Sequence, residues 1–404
     1  MRELLWILVA FTSVAHALRV CDFVTCRHTY ETTLMEELRV TTGLQATTVA
    51  PGLLLIEDDV TDPKRELPPL TYALQWLPSA THISGSSITK LAKAAMNAIE
   101  KDLPNLDGLP RGSLAIHALT PDVFRGAKSP ALLSRAEAIA SAVSKGLRGT
   151  CPAARPRREG DPEPGPRLYL LQLLLLDSNT LAVSLSASRP VDLSGTSLLG
   201  HWPCWSHPAG IAQCSIGEYM PSSAYRKLAE GLQVLGLQRL DGWKCVDLGA
   251  CPGGWTALLR RLGAKVIAVD RSELDSALWG GIPENLADFK KRSSVLGFPV
   301  ADPGSEDLVF VQGDAFAWSP PEPVDLMVSD VASYPERVAG LLERWCSQGW
   351  ADNICVTVKF QGEPSWQALE AAKATAAKHG FVSRSLHLFS NKNECTLLVV
   401  KSSS

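Results

Sequence analysis

The sequence predicts an α/β protein: a seven-stranded, Rossmann-like sheet over residues 222–404, preceded by an α+β half over residues 19–190. Three observations predict it. From Val246 onward seven short apolar runs recur, several closing on a charged residue, as buried parallel strands do when they deliver side chains to one sheet edge. The first of these breaks into a glycine-rich turn and re-emerges as a helical phrase. Before residue 190, strand-like and helix-like segments are mixed without that repeat, the α+β pattern.

In chain order, residues 1–17 hold one cation, an apolar run and the small-x-small ending Ala15-His16-Ala17. That is the outline of a signal or targeting segment (1–18), short for a membrane span; a buried first strand or helix is the other reading. The α+β half then predicts strands over Arg19 to Cys26 and Gly52 to Glu57, with a helix over Tyr30 to Leu38 between them. A helix over Ser87 to Lys101, a strand over Ser113 to Leu119 and a helix over Leu132 to Gly146 follow. Leu168 to Leu176 and Thr180 to Ser186 form a hairpin across Asp177-Ser178-Asn179, after a polar loop from Cys151 to Arg167. Residues 191–221 read as a linker whose Trp202 and Trp205 could stack on bases or simply pack.

The catalytic candidates begin with Val246-Asp247-Leu248-Gly249-Ala250-Cys251-Pro252-Gly253-Gly254-Trp255, a strand, a tight turn and a helix start. A side chain at Gly249, Gly253 or Gly254 would forbid the required dihedrals or fill the space of an adenosyl group. The dinucleotide fingerprint is Gly-x-Gly-x-x-Gly, whereas here the spacing is Gly249-x-x-x-Gly253-Gly254, which reads as an S-adenosylmethionine loop; glycines that only pack a helix are the alternative. Asp247, Gly249, Ala250, Pro252, Gly253, Gly254 and Trp255 are therefore cofactor candidates. Lys265 to Asp270 is a second strand ending in an acid about twenty residues on, where a carboxylate can take both ribose hydroxyls. Asp314, after the strand Leu308 to Gln312, is expected at the adenine edge. Val324 to Asp330 and Asn353 to Lys359 bring Asp330 and Lys359 to the same edge, where open α/β sheets bind their substrates, and Asp330 is also a cofactor candidate. Two strands, Phe381 to Phe389 and Glu394 to Val400, close the sheet.

Asp247-Leu-Gly-Ala-Cys-Pro-Gly-Gly-Trp255, with Ser223-Ala-Tyr-Arg-Lys-Leu228 upstream, resembles the FtsJ-type RNA ribose 2′-O-methyltransferases, and among them the bacterial branch acting on a cytidine of large-subunit ribosomal RNA. The likeness is dense from about Pro221 to Val400. It implies four working residues, Lys227, Asp330, Lys359 and Glu394, and it implies that the preceding half is ferredoxin-like plus THUMP-like and binds RNA. A neutral 2′-hydroxyl is a poor nucleophile that gains from losing its proton as the bond to the methyl forms. The base role of Lys359 is inherited from the resemblance; a charged Lys359 that steers the hydroxyl electrostatically is the alternative. The resemblance further implies ribosomal RNA as partner, a monomer, and no membrane partner in the mature protein. Because such an enzyme needs both cofactor and RNA, the leader points to a plastid or mitochondrion, with the cytoplasm as the alternative.

A hydrophobic fraction of 46% with 20% charged residues in 404 describes folded domains with ample core. The net charge of −3 excludes a globally basic nucleic-acid binder, so any RNA surface must be local. Arg226, Lys227, Arg260, Arg261, Lys265 and the run Lys290-Lys291-Arg292 are candidates; the last lies in a long stretch between Arg271 and Asp307 that reads as an insertion. The ten cysteines contain no C-x-x-C pair, so no metal site is expected, and strand cysteines such as Cys245, Cys355 and Cys395 act as small hydrophobes. Two other functions fit the cofactor loop: a methyltransferase of a non-RNA substrate, and an RNA-binding or ribosome-assembly factor without catalysis.

Overall fold

The computed structural model describes residues 20–57, 67–121, 130–158, 160–161, 168–188, 210–211, 220–237, 239–278 and 307–402. They form two compact units, one running to residue 188 with 210–211, the other starting at residue 220. The leader, the linker tryptophans and Lys290-Lys291-Arg292 lie outside the described residues.

The first unit contains β1 (Val20–Cys26), α1 (Glu31–Thr42), β2 (Ala46–Ala50), β3 (Leu53–Ile56), β4 (Ala73–Ser84), α2 (Ile88–Ile99), β5 (Leu114–Leu119), α3 (Pro130–Thr150), β6 (Leu168–Leu175) and β7 (Thr180–Ser188). Its strands form one seven-stranded sheet in the order β2-β3-β1-β4-β7-β6-β5, in which only β5 and β6 pair in parallel, joined through α3. Leu91, Ala95, Ile139, Val143 and Leu147 on α2 and α3 pack on Leu171, Leu173 and Leu175 of β6.

β2 and β4 were not predicted. Pro78 sits in the middle of β4, where a proline argues against a central strand because it cannot donate to the ladder. The fold accommodates it at an irregularity: the β1–β4 register shifts between Cys21 and Phe23. Buried Asp22 fills the gap, its carboxylate accepting the Ser79 amide at 2.7 Å and Trp76 Nε1 at 3.2 Å, while Ser184 Oγ donates to the Pro78 carbonyl at 2.6 Å.

The second unit contains α4 (Tyr225–Val234), β8 (Lys244–Leu248), α5 (Gly254–Arg261), β9 (Lys265–Asp270), β10 (Leu308–Gln312), β11 (Val324–Ser329), α6 (Pro335–Ser347), β12 (Ala351–Lys359), α7 (Trp366–Lys378), β13 (Phe381–Leu386) and β14 (Glu394–Lys401). The expected seven strands are all there, ordered β10-β9-β8-β11-β12-β14-β13, with β8 to β12 mutually parallel and β14 antiparallel to both neighbours. Trp255, Leu258, Leu259 and Leu262 recur at helical spacing, and that face of α5 is buried in the core with Leu326, Val328 and Leu398. Two of the expected surface cations are corrected by this packing. Arg260 is buried and donates from Nη1 to the Leu278 carbonyl, and Arg261 donates to Met220 Sδ, so α5 keeps both. Lys227 is also buried, for a different reason given below. Among the described residues no helix is long and apolar enough to cross a membrane.

Candidate active site

The order of the second sheet reverses at β8: β9 and β10 lie to one side of it, β11, β12 and β14 to the other. Open α/β sheets form a crevice at such a reversal, outside the carboxyl ends of the strands. The candidate catalytic and cofactor residues lie at the ends of these strands, at the turn after β8 and the start of α5, or on α4.

On one side is the turn from β8 to α5. Gly249 and Gly253 have φ of 76° and 111°, which a side chain would strain. The reason for the glycines is otherwise more internal than expected. A Cβ on Gly249 would come within 2.9 Å of Val331 Cβ, one on Gly253 would strike Leu278 Cδ1, and one on Gly254 would strike Ser222 Oγ. Protein atoms, rather than open space, border the three positions. Ala250 and Trp255 are buried, and Trp255 Nε1 donates to the Ala224 carbonyl at 2.8 Å, which ties the helix start to the segment leading into α4. Cys251 and Pro252, joined by a cis peptide bond, are the exposed tip.

Three aspartates surround this turn. Asp247 is wholly buried and accepts Thr256 Oγ1 at 2.7 Å; burial pushes its carboxyl up to about 7, opposed by the Thr256 hydrogen bonds and reinforced by Asp330 and Asp270. It thus braces the turn from beneath. Asp270, closing β9, accepts the Cys251 amide at 3.0 Å through Oδ2 and the Ser272 amide at 2.8 Å through Oδ1. Each oxygen keeps a lone pair for a further donor. Asp314, just past β10, accepts the Phe316 amide at 2.9 Å and pairs with Arg271, and both interactions hold its carboxyl below the usual range. Asp270 and Asp314 thus stand at neighbouring strand ends beside a left-handed glycine turn.

On the other side of β8 four charged side chains meet. Lys227 Nζ lies 2.8 and 2.7 Å from the two carboxylate oxygens of Asp330 and 2.9 Å from Glu394 Oε1. Lys359 Nζ donates to the Asp330 carbonyl at 2.8 Å and lies 3.1 Å from Asp330 Oδ1 and 3.9 Å from Glu394 Oε2. The sheet sets this meeting: β12 and β14 pair with Lys359 directly opposite Glu394, and β11 beside β12 ends one residue before Asp330. Their exposure differs in a way that matters. The side chain of Lys359 is 28% exposed, against 9% for Lys227, 16% for Asp330 and 9% for Glu394.

Sequence reasoning missed several supporting residues. Thr357 Oγ1 donates to Asp330 Oδ1 at 2.6 Å. Two residues before Lys359 on a strand, it shares that residue's face, and this alternation was readable. Glu230, three residues after Lys227 on α4, accepts the amides of Phe389 at 2.9 Å and Ser390 at 3.0 Å, anchoring the connection that leads to Glu394. Ser222 and Arg271 carried no signal, since their partners Gly254 and Asp314 are adjacent only in the fold. Among the described residues no three metal-ligating side chains cluster.

The part of the chain that carries this geometry is similar to a known family. Residues 220–343 match the FtsJ-like methyltransferases. That stretch contains Lys227, the glycine turn, Asp270, Asp314 and Asp330, and the resemblance read from the Asp247-to-Trp255 phrase is borne out by it. Among curated relatives, Ribosomal RNA large subunit methyltransferase M of Xanthomonas oryzae pv. oryzae is 29% identical over 253 residues, 59% of this chain and 61% of that protein. The proteins of the same description from Alkalilimnicola ehrlichii and Halorhodospira halophila are 30% and 32% identical over 199 and 197 residues, each covering 47% of this chain and 49% and 50% of their own. The chain thus spans about half to three fifths of the length of the curated relatives it matches.

Proposed function

We propose that this protein is an S-adenosylmethionine-dependent RNA ribose 2′-O-methyltransferase acting on large-subunit ribosomal RNA. One observation carries the reading: two lysines and two carboxylates converge at the strand ends beside the glycine turn, with Lys359 the most exposed of the four. S-adenosylmethionine, when bound, supplies a methyl group activated by its sulfonium. The chain holds that cofactor through the turn backbone, with Asp270 accepting from ribose hydroxyls and Asp314 at the base. Lys227, enclosed by Asp330 and Glu394, balances two carboxylates and holds them in place, and Thr357 fixes Asp330 from a second direction. Lys359, accessible to solvent, is the group an incoming 2′-hydroxyl would meet, and as base it would take the hydroxyl proton while the oxygen bonds to the methyl carbon and that carbon's bond to sulfur breaks, leaving the neutral thioether. The amino-terminal unit, with its mixed sheet, is the ferredoxin-like and THUMP-like half that presents RNA; its β5-α3-β6 crossover beside antiparallel strands supports that assignment.

The test is substrate class. Purified protein with radiolabelled S-adenosylmethionine is expected to label large-subunit ribosomal RNA and to ignore DNA of the same sequence, because the 2′-hydroxyl distinguishes the two. The labelled nucleotide should resist alkaline cleavage on its 3′ side. Label in the base, with cleavage unimpeded, would overturn the reaction assigned.

A further inference from the structure

We propose that an arginine-rich face of the amino-terminal unit, built from the carboxyl end of α3 and the loop after it, binds the phosphate backbone of RNA. Between Lys145 and Arg158 the chain carries five cations, Lys145, Arg148, Arg155, Arg157 and Arg158, and no acid; acids resume only at Glu159. In a protein of net charge −3 that is a local reversal of sign.

The fold concentrates it further. Arg155 donates from Nε to the Arg148 carbonyl at 2.7 Å and from Nη2 to the Gly149 carbonyl at 3.3 Å, so its guanidinium caps α3 and folds the following loop back on the helix end. The Gly112 amide donates to the carbonyls of Ala153 and Arg155 at 3.1 and 3.0 Å, which brings Arg111 to the same place from elsewhere in the sequence. Gly112 has φ of 77°, and the stem of Arg157 lies where its Cβ would be, 2.7 Å from that position. Asp161 closes the loop by accepting the Arg158 amide and, through its carbonyl, the Arg157 guanidinium. Among the described residues no carboxylate pairs with the side chains of Lys145, Arg148, Arg158 or Arg111, of which the first three are exposed.

Like charges held together by backbone hydrogen bonds repel one another, and a polyanion relieves that repulsion by replacing condensed counterions. Four of the five are arginines, whose planar fork engages phosphate oxygens in pairs. Between Lys145 and Arg158 there is no aromatic side chain to stack on bases, so the cluster positions RNA without specifying sequence.

This rests on RNA being the substrate, and the experiment separates the two. Binding of a fluorescein-labelled single-stranded poly(U) oligonucleotide is measured by anisotropy across a salt series, without turnover, for the parent, for Lys145→Ala/Arg148→Ala/Arg158→Ala, and for the control Lys244→Ala/Lys378→Ala/Lys401→Ala. The control removes the same charge from exposed lysines of the second unit, each paired with an acid. In the cluster variant affinity should fall and the slope of log K against log salt should flatten by roughly 2, three single-strand contacts at about 0.7 each. The control should keep the parent's slope, and calorimetry should find S-adenosylmethionine affinity unchanged in both variants. An unaltered slope in the cluster variant, or equal flattening in the control, overturns the proposal while leaving the reaction assignment standing. A parent that binds no RNA would sink both.

Discussion

Each unit has a seven-stranded sheet, and each buries an aspartate on a strand, yet the two acids do opposite work. Asp22 lies inside the first sheet and mends it, supplying the acceptor for the Ser79 amide where the register shift interrupts the β1–β4 ladder. Asp247 lies one residue before the end of β8 and braces a turn that is the start of a site. The first sheet hides its irregularity in the middle of a strand, while the second is regular in its strands and places everything unusual at their ends. That difference explains what each can do: a mostly parallel sheet collects side chains at one edge, and an antiparallel one spends its polar groups holding itself together.

The comparison is broken most forcefully at Asp247. Its folded carboxyl is raised from 3.8 to about 7 by burial, so the folded state holds its proton more tightly than the unfolded one. Stability from this group is fully present below the unfolded value, declines as pH rises through the window from about 4 to 7, and is gone above it. Three units correspond to an upper bound of about 4 kcal/mol. Asp247→Asn keeps an acceptor for Thr256 and removes the titration. Denaturant melts from pH 4 to 8 should show the variant gaining on the parent as pH rises; parallel curves would mean that the carboxylate is not what titrates.

Next in size is the chemistry at the edge. Lys359→Ala is expected to bind S-adenosylmethionine and RNA nearly as the parent does while turning over at least ~100-fold more slowly, the scale of a lost general base. Arginine at this position keeps the charge but cannot give up a proton. Lys359→Arg as inactive as alanine assigns the base; recovered activity assigns a steering cation instead. Full activity in the alanine variant would remove the four-residue site from the mechanism.

In the first sheet, Asp22→Ala should cost about 2 kcal/mol, because Trp76 Nε1 and the Ser79 amide would be left buried without their acceptor. Cofactor affinity, a property of the second unit, should stay unchanged. A loss of binding equal to the loss of stability would show that the two units do not fail separately.

The same contrast governs what the sequence disclosed. All seven strands of the second sheet were legible; the central ones, β8, β11 and β12, are apolar runs largely buried on both faces, and a closing charge marks the working edge, with Asp270, Asp330 and Lys359 where the strands stop. In the first sheet β4 was invisible, since Pro78 argues against a strand and the groups that accommodate it, the shifted ladder at Asp22 and the hydroxyl of Ser184, lie more than fifty residues away. β2, Ala-Thr-Thr-Val-Ala, is mostly unburied and carries neither apolar run nor clear alternation. Within the site, motif residues were legible and their props were not: Thr357 shares a face with Lys359 and could have been inferred, but Ser222 against Gly254 is a contact between segments that no local pattern records.

That contact sets the smallest and sharpest test. The sequence alone leaves Gly254 as space for a ligand or as a helix-packing glycine, and in the fold a Cβ there would strike Ser222 Oγ, with the Ser222 carbonyl 3.2 Å away. The two ideas separate in a double-mutant cycle. If the glycine exists to seat Ser222, Gly254→Ala should lower stability by about 1 kcal/mol, and adding Ser222→Ala, which removes the clashing oxygen, should recover part of it, a coupling of roughly 0.5 kcal/mol or more. Cofactor affinity by calorimetry should then follow the same recovery, because the turn is restored along with the packing. If the glycine instead leaves room for the cofactor, affinity should drop in Gly254→Ala with stability intact, and Ser222→Ala should rescue nothing. The second outcome would return Gly254 to direct ligand contact; the first makes it a packing residue whose effect on binding is carried through the turn that Asp247 and Trp255 also hold.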